Sequence, residues 1–474
     1  MKAVIAGEKV DGKQTIAVLD KYSGKEIDTV PSLTPADVDR AVSAASRSAH
    51  KVAEMTAYRR REILEKVAKE VDARLADLSN TLVSESGMCI RDAEFEVRRA
   101  ANVLRMYAAD ALRLGGEWLS LDADARGAGR YGYYFRVPVG VVAAISAFNN
   151  PLALMAHKLG PASAAGNSVV FKPASFTPLA ALTIASMFAE AGFPPEAMNI
   201  ITGSGEVLGP PLAADPRVRV VTFTGGWEAG EKLSKVAGPK KLLMELGSNC
   251  PNIVCADADL EAAVPSLISA AYSYQGQNCL HAQRILVQES VYDKFRDEFV
   301  SRASKLRSGD PRSPSTEVGP MISEGAAMRV ERWVSEAVAM GGRILIGGHR
   351  SGSFFEPTLM EHVPKDAKVS CEEVFGPVTV LSRFTKLADA IQVANETEFG
   401  LQAGIFTRSL GDAMAAVRSL RFGTVLVNES SDFRVDMMPF GGVKKSGLGR
   451  EGAENALEAM TDIRMVVFDQ RNPG

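Results

Sequence analysis

Between Val139 and Ala237 short, continuously apolar runs take turns with helical stretches. Val141-Val142-Ala143-Ala144-Ile145, Ser168-Val169-Val170-Phe171, Met198-Asn199-Ile200-Ile201 and Val218-Arg219-Val220-Val221-Thr222-Phe223 read as strands. Segments 151–164, 178–191 and 227–237 read as helices. The strands lack an in/out alternation, so neither face of their sheet meets water. Buried strands separated by helices imply a parallel sheet covered on both faces, a doubly wound, Rossmann-like unit. Ligands of such sheets bind at the carboxyl edge, so residues that end these strands are the first candidates for a site.

A second α/β alternation starts near Pro251. It has Asn252-Ile253-Val254, a helix over 259–274, Arg284-Ile285-Leu286-Val287 and a helix over 290–305. A helix over 323–340 and strands near Arg343-Ile344-Leu345 and Val378-Thr379-Val380-Leu381 complete it. Before the first sheet, Thr34-Pro35-Ala36-Asp37 places an N-cap residue, a proline and an acid where a helix begins. That helix runs to about Val52, and further helices are expected over 57–79 and 92–113, with no strand of their own. Gly115 to Val139, with its tyrosines and glycines, reads as a β-hairpin, either an oligomer contact or a plain surface hairpin.

A chain of 474 residues with this layout holds more than one core. The net charge of −3 gives no electrostatic case for nucleic acid or an anionic membrane. No window is apolar enough to span a bilayer, and Met1 to Val10 lacks the pattern of a secretion signal. Five scattered cysteines form no metal-ligand spacing and fit a reduced, cytoplasmic setting.

Several strand ends and loops carry chemistry. Gly225-Gly226-Trp227 follows a strand and opens a helix, which suits a pyrophosphate or a simple tight turn. Trp227 packs on a cofactor or in the core. Lys172 ends another strand and would face a ligand or a salt-bridge partner. Cys279, in Gly276-Gln277-Asn278-Cys279, is a nucleophile or a buried inert thiol. Glu245, at the end of strand 242–246 and before Gly247, is expected to be accessible enough to act as a general base, or is an ordinary surface or capping acid. Asn149, before Asn150-Pro151, is an oxyanion donor or a turn residue.

Phe148-Asn149-Asn150-Pro151, Lys172-Pro173-Ala174-Ser175, Phe223-Thr224-Gly225-Gly226, Glu245-Leu246-Gly247 and Gly276-Gln277-Asn278-Cys279 occur in that order. Glu372-Glu373-Val374-Phe375-Gly376-Pro377, Pro439-Phe440-Gly441-Gly442-Val443-Lys444 and Ser446-Gly447-Leu448-Gly449-Arg450-Glu451 follow. Together they resemble the aldehyde dehydrogenase superfamily, nearest its lactaldehyde, non-phosphorylating glyceraldehyde and succinic semialdehyde branch. The resemblance implies an NAD(P)-binding domain over 1–115 and 139–246 and a catalytic domain over 247–445. It also implies a small β oligomerisation element from 116–138 and 446–474, giving a homodimer or homotetramer. Cys279 is then expected to form a thiohemiacetal and a thioester, Asn149 and the Cys279 N–H to hold the oxyanion, and Glu245 to activate water. Expected cofactor contacts are Ser146, Ala147, Phe148, Lys172, Ser175, Gly205, Phe223, Thr224, Gly225, Gly226, Leu246, Glu373 and Phe375.

Departures from the family pattern carry information. Ser175 stands where many relatives have a Glu that binds the adenosine 2′-hydroxyl. A short neutral side chain removes repulsion of a 2′-phosphate, so NADP is expected to be accepted beside NAD. Gly226 replaces a common Ser, and Ser248-Asn249 a common Gly-Lys. Asn150, His157, Arg99, Asn278 and Arg434 are candidate contacts for a small polar or acidic aldehyde; for His157, Arg99 and Arg434 the alternative is an internal salt bridge or helix-face role. Glu245 argues against the CoA-acylating branch, and Cys279, Glu245 and Asn149 together argue against a catalytically silent member.

Overall fold

The computed structural model describes residues 1–470. Val141–Ile145 lies at the centre of the first sheet, parallel to Ser168–Lys172 on one side and to Val218–Thr224 on the other. Met198–Ile200 and Lys241–Glu245 extend the two flanks, also in parallel. Every residue of Val141–Ile145 and Ser168–Lys172 is buried, which is why neither alternates in sequence. The chain winds outward from Val141–Ile145 to Met198–Ile200, then returns to build the opposite flank. The strand order therefore reverses between Val141–Ile145 and Val218–Thr224, and such a reversal opens a crevice at the carboxyl ends.

The margins of this sheet differ from the sequence expectation. The N-terminal region has strands of its own: Ala3–Ile5, Glu8–Val10, Gln14–Leu19 and Glu26–Ser32. Ala3–Ile5 adds antiparallel to Met198–Ile200 and carries Glu8–Val10 with it. Strands of three residues are too short to declare a period in sequence. The helix expected over 57–79 is two, Ala57–Ala73 and Leu75–Ser86, parted at Arg74, whose φ of −105° and ψ of 27° leave the helical region. The third runs from Ile90 to Asp110. The expected 446–474 unit is divided: Gly447–Leu448 pairs antiparallel with Lys241–Glu245 in the large sheet, whereas Thr461–Asp469 joins the hairpin. The last four residues of that segment lie outside the described part.

The second sheet runs, in spatial order, Arg343–Ile346, Thr358–Glu361, Val378–Phe384, Arg284–Gln288, Pro251–Val254, Gln402–Phe406 and Thr424–Val427. Only Arg343–Ile346 is antiparallel to its neighbour. It has apolar cores of its own, one around Tyr292, Phe295 and Phe299, another around Met321, Val330 and Val374. The hairpin is Gly116–Leu119 against Arg130–Pro138, and Thr461–Asp469 lies antiparallel along the other edge of Arg130–Pro138. On its open face Tyr131 stacks between Trp118 and Phe468, with ring centroids 5.0 and 4.9 Å away.

Candidate active site

Residues from both sheets line one cleft of about 1860 Å3, and every residue singled out from the sequence as a candidate contact lines it. The first sheet contributes its carboxyl edge: Ser146 to Asn150, Lys172 with Ala174 and Ser175, Thr224 to Gly226, and Glu245 to Gly247. The second contributes the loop before Arg284–Gln288, the segment before Val378–Phe384 and the extended stretch after Thr424–Val427.

The Asn149-Asn150 turn ends in Pro151, the first residue of a buried helix that reaches Ala164. A helix start leaves N–H groups without intrahelical partners. Glu96, fully buried on the Ile90–Asp110 helix, accepts from Leu152 N–H at 2.7 Å and Ala153 N–H at 3.2 Å. Burial pushes its carboxyl up to about 8. The Asn149 amide makes no hydrogen bond within the described residues and opens onto the cleft.

Cys279 follows a tight loop in which Tyr274, Gln275 and Gly276 all take positive φ. Gly276 is required there: a Cβ would lie 2.3 Å from the Gly376 carbonyl oxygen. That backbone contact seats the Cys279 loop on the Glu372–Pro377 segment, which also bears Glu373 and Phe375. The Cys279 thiol is partly exposed to the cleft, and burial drives it well above its ordinary range. Asn278 Nδ2 donates to Asp432 Oδ1 at 2.5 Å, and its Oδ1 lies 3.8 Å from the Cys279 sulfur.

Glu245 ends its strand and is 5% exposed. The carboxylate expected to be accessible is thus almost enclosed, with no hydrogen-bond partner on either oxygen and Oε2 fully buried. Burial first, and then the charge of Glu451, hold its carboxyl protonated well above the usual range. Glu451 goes the other way. Burial opposes its ionisation, but Lys158, His157 and Arg434 bring it down to about 2. Lys158 Nζ donates to Glu451 Oε1 at 3.1 Å and to Thr222 Oγ1 at 3.2 Å, with no exposed surface on its side chain. Lys158 and Glu451 went unassigned in the sequence. The available signal was a lone lysine on the otherwise apolar helix 151–164, which needs a buried counter-charge.

Arg99, His157 and Arg434 are tied together. Arg99 is bidentate on Asp436, with its shortest contact 2.6 Å; His157 Nε2 is 3.0 Å from the same carboxylate. Arg434 lies 3.5 Å from Glu451 and 3.3 Å from His157. Burial, followed by Arg434, lowers His157 to about 4, so it is neutral at physiological pH.

The other half of the cleft suits a dinucleotide. Lys172 is 2% exposed, meets no acid, and donates only to the Pro173 carbonyl at 2.8 Å; burial lowers it to about 8. Ser175 turns its hydroxyl to the Gly203 carbonyl at 2.8 Å. Gly225 leads into the helix Trp227–Ala237, whose first N–H groups are free for an anion. Glu373 accepts from Ser248 N–H at 2.7 Å, and burial raises it to about 7. Phe148 meets Phe375 edge to face at 5.6 Å.

The model of the aldehyde dehydrogenase family matches residues 9–466. An aspartate-semialdehyde dehydrogenase of Pseudomonas canavaninivorans is 41% identical over 454 residues, covering 96% of either chain. The crystal structure of aldehyde dehydrogenase 21 from Physcomitrella patens, in complex with succinate, superposes with a TM-score of 0.97. It is 39% identical and covers 100% of this chain and 98% of its own. Glyceraldehyde-3-phosphate dehydrogenase GapN from Methanocaldococcus jannaschii, complexed with NADP, gives 0.93 at 37% identity over 96% of this chain and 100% of its own.

Proposed function

This chain belongs to the aldehyde dehydrogenase family, an NAD(P)-dependent oxidoreductase, and from that premise we propose that it oxidises a small polar or acidic aldehyde to the carboxylic acid through Cys279. One observation carries the reading. A thiol, an amide without internal partners and a carboxyl without internal partners open onto the same cleft. Covalent oxidation of an aldehyde needs a nucleophile, an oxyanion donor and a base for the second step.

Cys279, once its proton is lost, adds to the aldehyde carbon. The developing oxyanion takes hydrogen bonds from the Asn149 amide and the Cys279 backbone N–H. The nicotinamide cofactor, when bound in this cleft, would supply the hydride acceptor for the oxidation, and Cys279 then holds the acyl group as a thioester. Glu245 then removes a proton from water, the resulting hydroxide attacks the thioester carbon, and the Cys279 thiolate departs as the acid forms. Lys172 and Ser175 would hold the adenosine ribose, Gly225 and Gly226 the pyrophosphate, and Glu373 with Phe375 the nicotinamide ribose. Ser146, Ala147, Phe148, Gly205, Phe223, Thr224 and Leu246 complete this wall. Lys172 without an acid partner and Ser175 without a carboxylate favour acceptance of NADP.

Arg99 and Arg434 are the proposed contacts for an anionic substrate group, with Asn150, His157 and Asn278 at the same end. A homodimer or homotetramer built on the 116–138 hairpin is part of the same reading, supported by its exposed aromatic face. The free cysteines support a cytoplasmic setting. A panel of aldehydes with each cofactor, followed by absorbance of the reduced form and by product analysis with and without CoA, tests the proposal. Acid production that needs Cys279 and no CoA supports it; an acyl-CoA product, or full turnover by C279A, overturns it.

A further inference from the structure

The Asn278 side chain stands between two groups that determine which way its amide faces. Its Nδ2 donates to Asp432 Oδ1 at 2.5 Å. Its Oδ1 accepts from Leu280 N–H at 3.1 Å and lies 3.8 Å from the Cys279 sulfur. An ionised carboxylate accepts and never donates, so Asp432 fixes the nitrogen on its own side. The thiol is left facing a carbonyl oxygen. Such an acceptor stabilises S–H and offers nothing to a thiolate, whereas a flipped amide would present an N–H donor to the sulfur.

We propose that Asp432 is a positioning residue for Cys279: acting through the Asn278 amide, it keeps an acceptor against the thiol and so holds the free enzyme in a protonated, slow-reacting form. The proposal rests on Cys279 being the nucleophile. Asp432 faces Arg99, Asp92 and Glu429 besides Asn278; burial raises it to about 6, which leaves it ionised at neutral pH. Its other oxygen has no partner in the described residues, and no cation forms an ion pair with it. Cys279 faces Cys250, Glu373, Arg434 and Glu245 besides Asn278. Of these only Arg434 favours the thiolate. Cys250 aims its own thiol at the Cys279 carbonyl, 3.5 Å away, and leaves the sulfur of Cys279 to Asn278.

The test is alkylation of the free enzyme by iodoacetamide across a range of pH, with Cys279 modification read from the mass of its peptide. In D432N the obligate acceptor becomes an amide that can itself donate, only the Leu280 N–H still holds the Asn278 carbonyl in place, and the pH midpoint of alkylation falls. A fall of about one unit makes Cys279 on the order of tenfold more reactive below both midpoints. In an N278A background the same D432N change has no further effect, because the route has been removed. An unchanged midpoint in D432N overturns the proposal. So does an equal shift with Asn278 absent, which would mean that the Asp432 charge acts on sulfur directly through space. D432A makes the same comparison if D432N fails to fold, judged by its thermal unfolding. Turnover of fully alkylated wild-type enzyme is measured in parallel. If turnover survives, the nucleophile assignment fails while the Asp432 comparison stays readable.

Discussion

Replacing Glu451 by Gln perturbs the proposed base without touching it. Glu451 is buried, ionised, and bonded to Lys158 at 3.1 Å. Its charge is the largest contribution after burial to the upward shift of Glu245. E451Q therefore has two separable effects. On stability, it removes the charge that answers Lys158, leaving the enclosed ammonium only neutral acceptors, the new amide oxygen and the Thr222 hydroxyl. Breaking a buried pair by removing one member costs about 3–5 kcal/mol. The double variant K158M/E451Q, with no enclosed ammonium left to strand and Arg434 still facing Asp436 at 3.9 Å, recovers part of that loss. On activity, the sign follows from Glu245. Its protonated form cannot take a proton from water, so hydrolysis rises as pH climbs through its pKa. With Glu451 neutral, only burial still opposes ionisation of Glu245, while Arg434, Lys158 and Arg450 favour it, and its pKa falls. The acid limb of thioester hydrolysis moves to lower pH, about tenfold in rate for each unit on the acid side. Denaturant unfolding gives the first quantity, and single-turnover decay of the acyl-enzyme against pH gives the second. An acid limb that stays in place or moves up in E451Q would refute the coupling.

E245Q keeps the shape of the base and removes its proton-accepting capacity. A burst of reduced cofactor equal to the enzyme concentration should persist while steady-state turnover falls on the order of a hundredfold or more; loss of the burst would place Glu245 before the thioester. S175E puts a carboxylate beside Lys172 and should raise KM for NADP at least about tenfold relative to NAD, since like charges repel, as read from steady-state kinetics with both cofactors. E96A strips the acceptor from two buried N–H groups at the helix start after Asn149, about 1–3 kcal/mol each, whereas E96Q retains an acceptor. Because burial raises Glu96 from its ordinary 4.5 to about 8, its contribution is full below about 4.5 and declines as pH rises towards 8. Thermal melts should show wild-type enzyme losing stability over that window relative to E96Q.

The parallel sheet was legible because burial on both faces erases alternation, and Val141–Ile145 and Ser168–Lys172 carry that erasure plainly. Its margins were not, because Ala3–Ile5 and Gly447–Leu448 are held by pairing with distant strands rather than by any local pattern. Among the cleft residues, the strand pattern marked Lys172, Gly225 and Glu245 only as candidates with open alternatives, and the ordered motifs of the family resemblance supplied their roles and the remaining contacts. The charged layer beneath Glu245 was not. Lys158 and Glu451 lie 293 positions apart, and sequence offers no measure of which buried charge answers which. Asp432 and Asp436 were passed over for the same reason, standing in an extended stretch whose partners come from other elements.

Gly276 and Gly376 touch backbone to backbone beneath the site. The arm that carries the thiol is thereby keyed to the Glu373 segment, while the carboxyl and amide that must meet the substrate are anchored in a separately packed core. The chemistry thus depends on a seam. Each half can be correctly folded and still be inert when the two are misaligned by an ångström, since reacting atoms tolerate little more. Heat or mild denaturant that loosens the seam would silence this enzyme before either core gives way, so loss of activity measures alignment rather than unfolding.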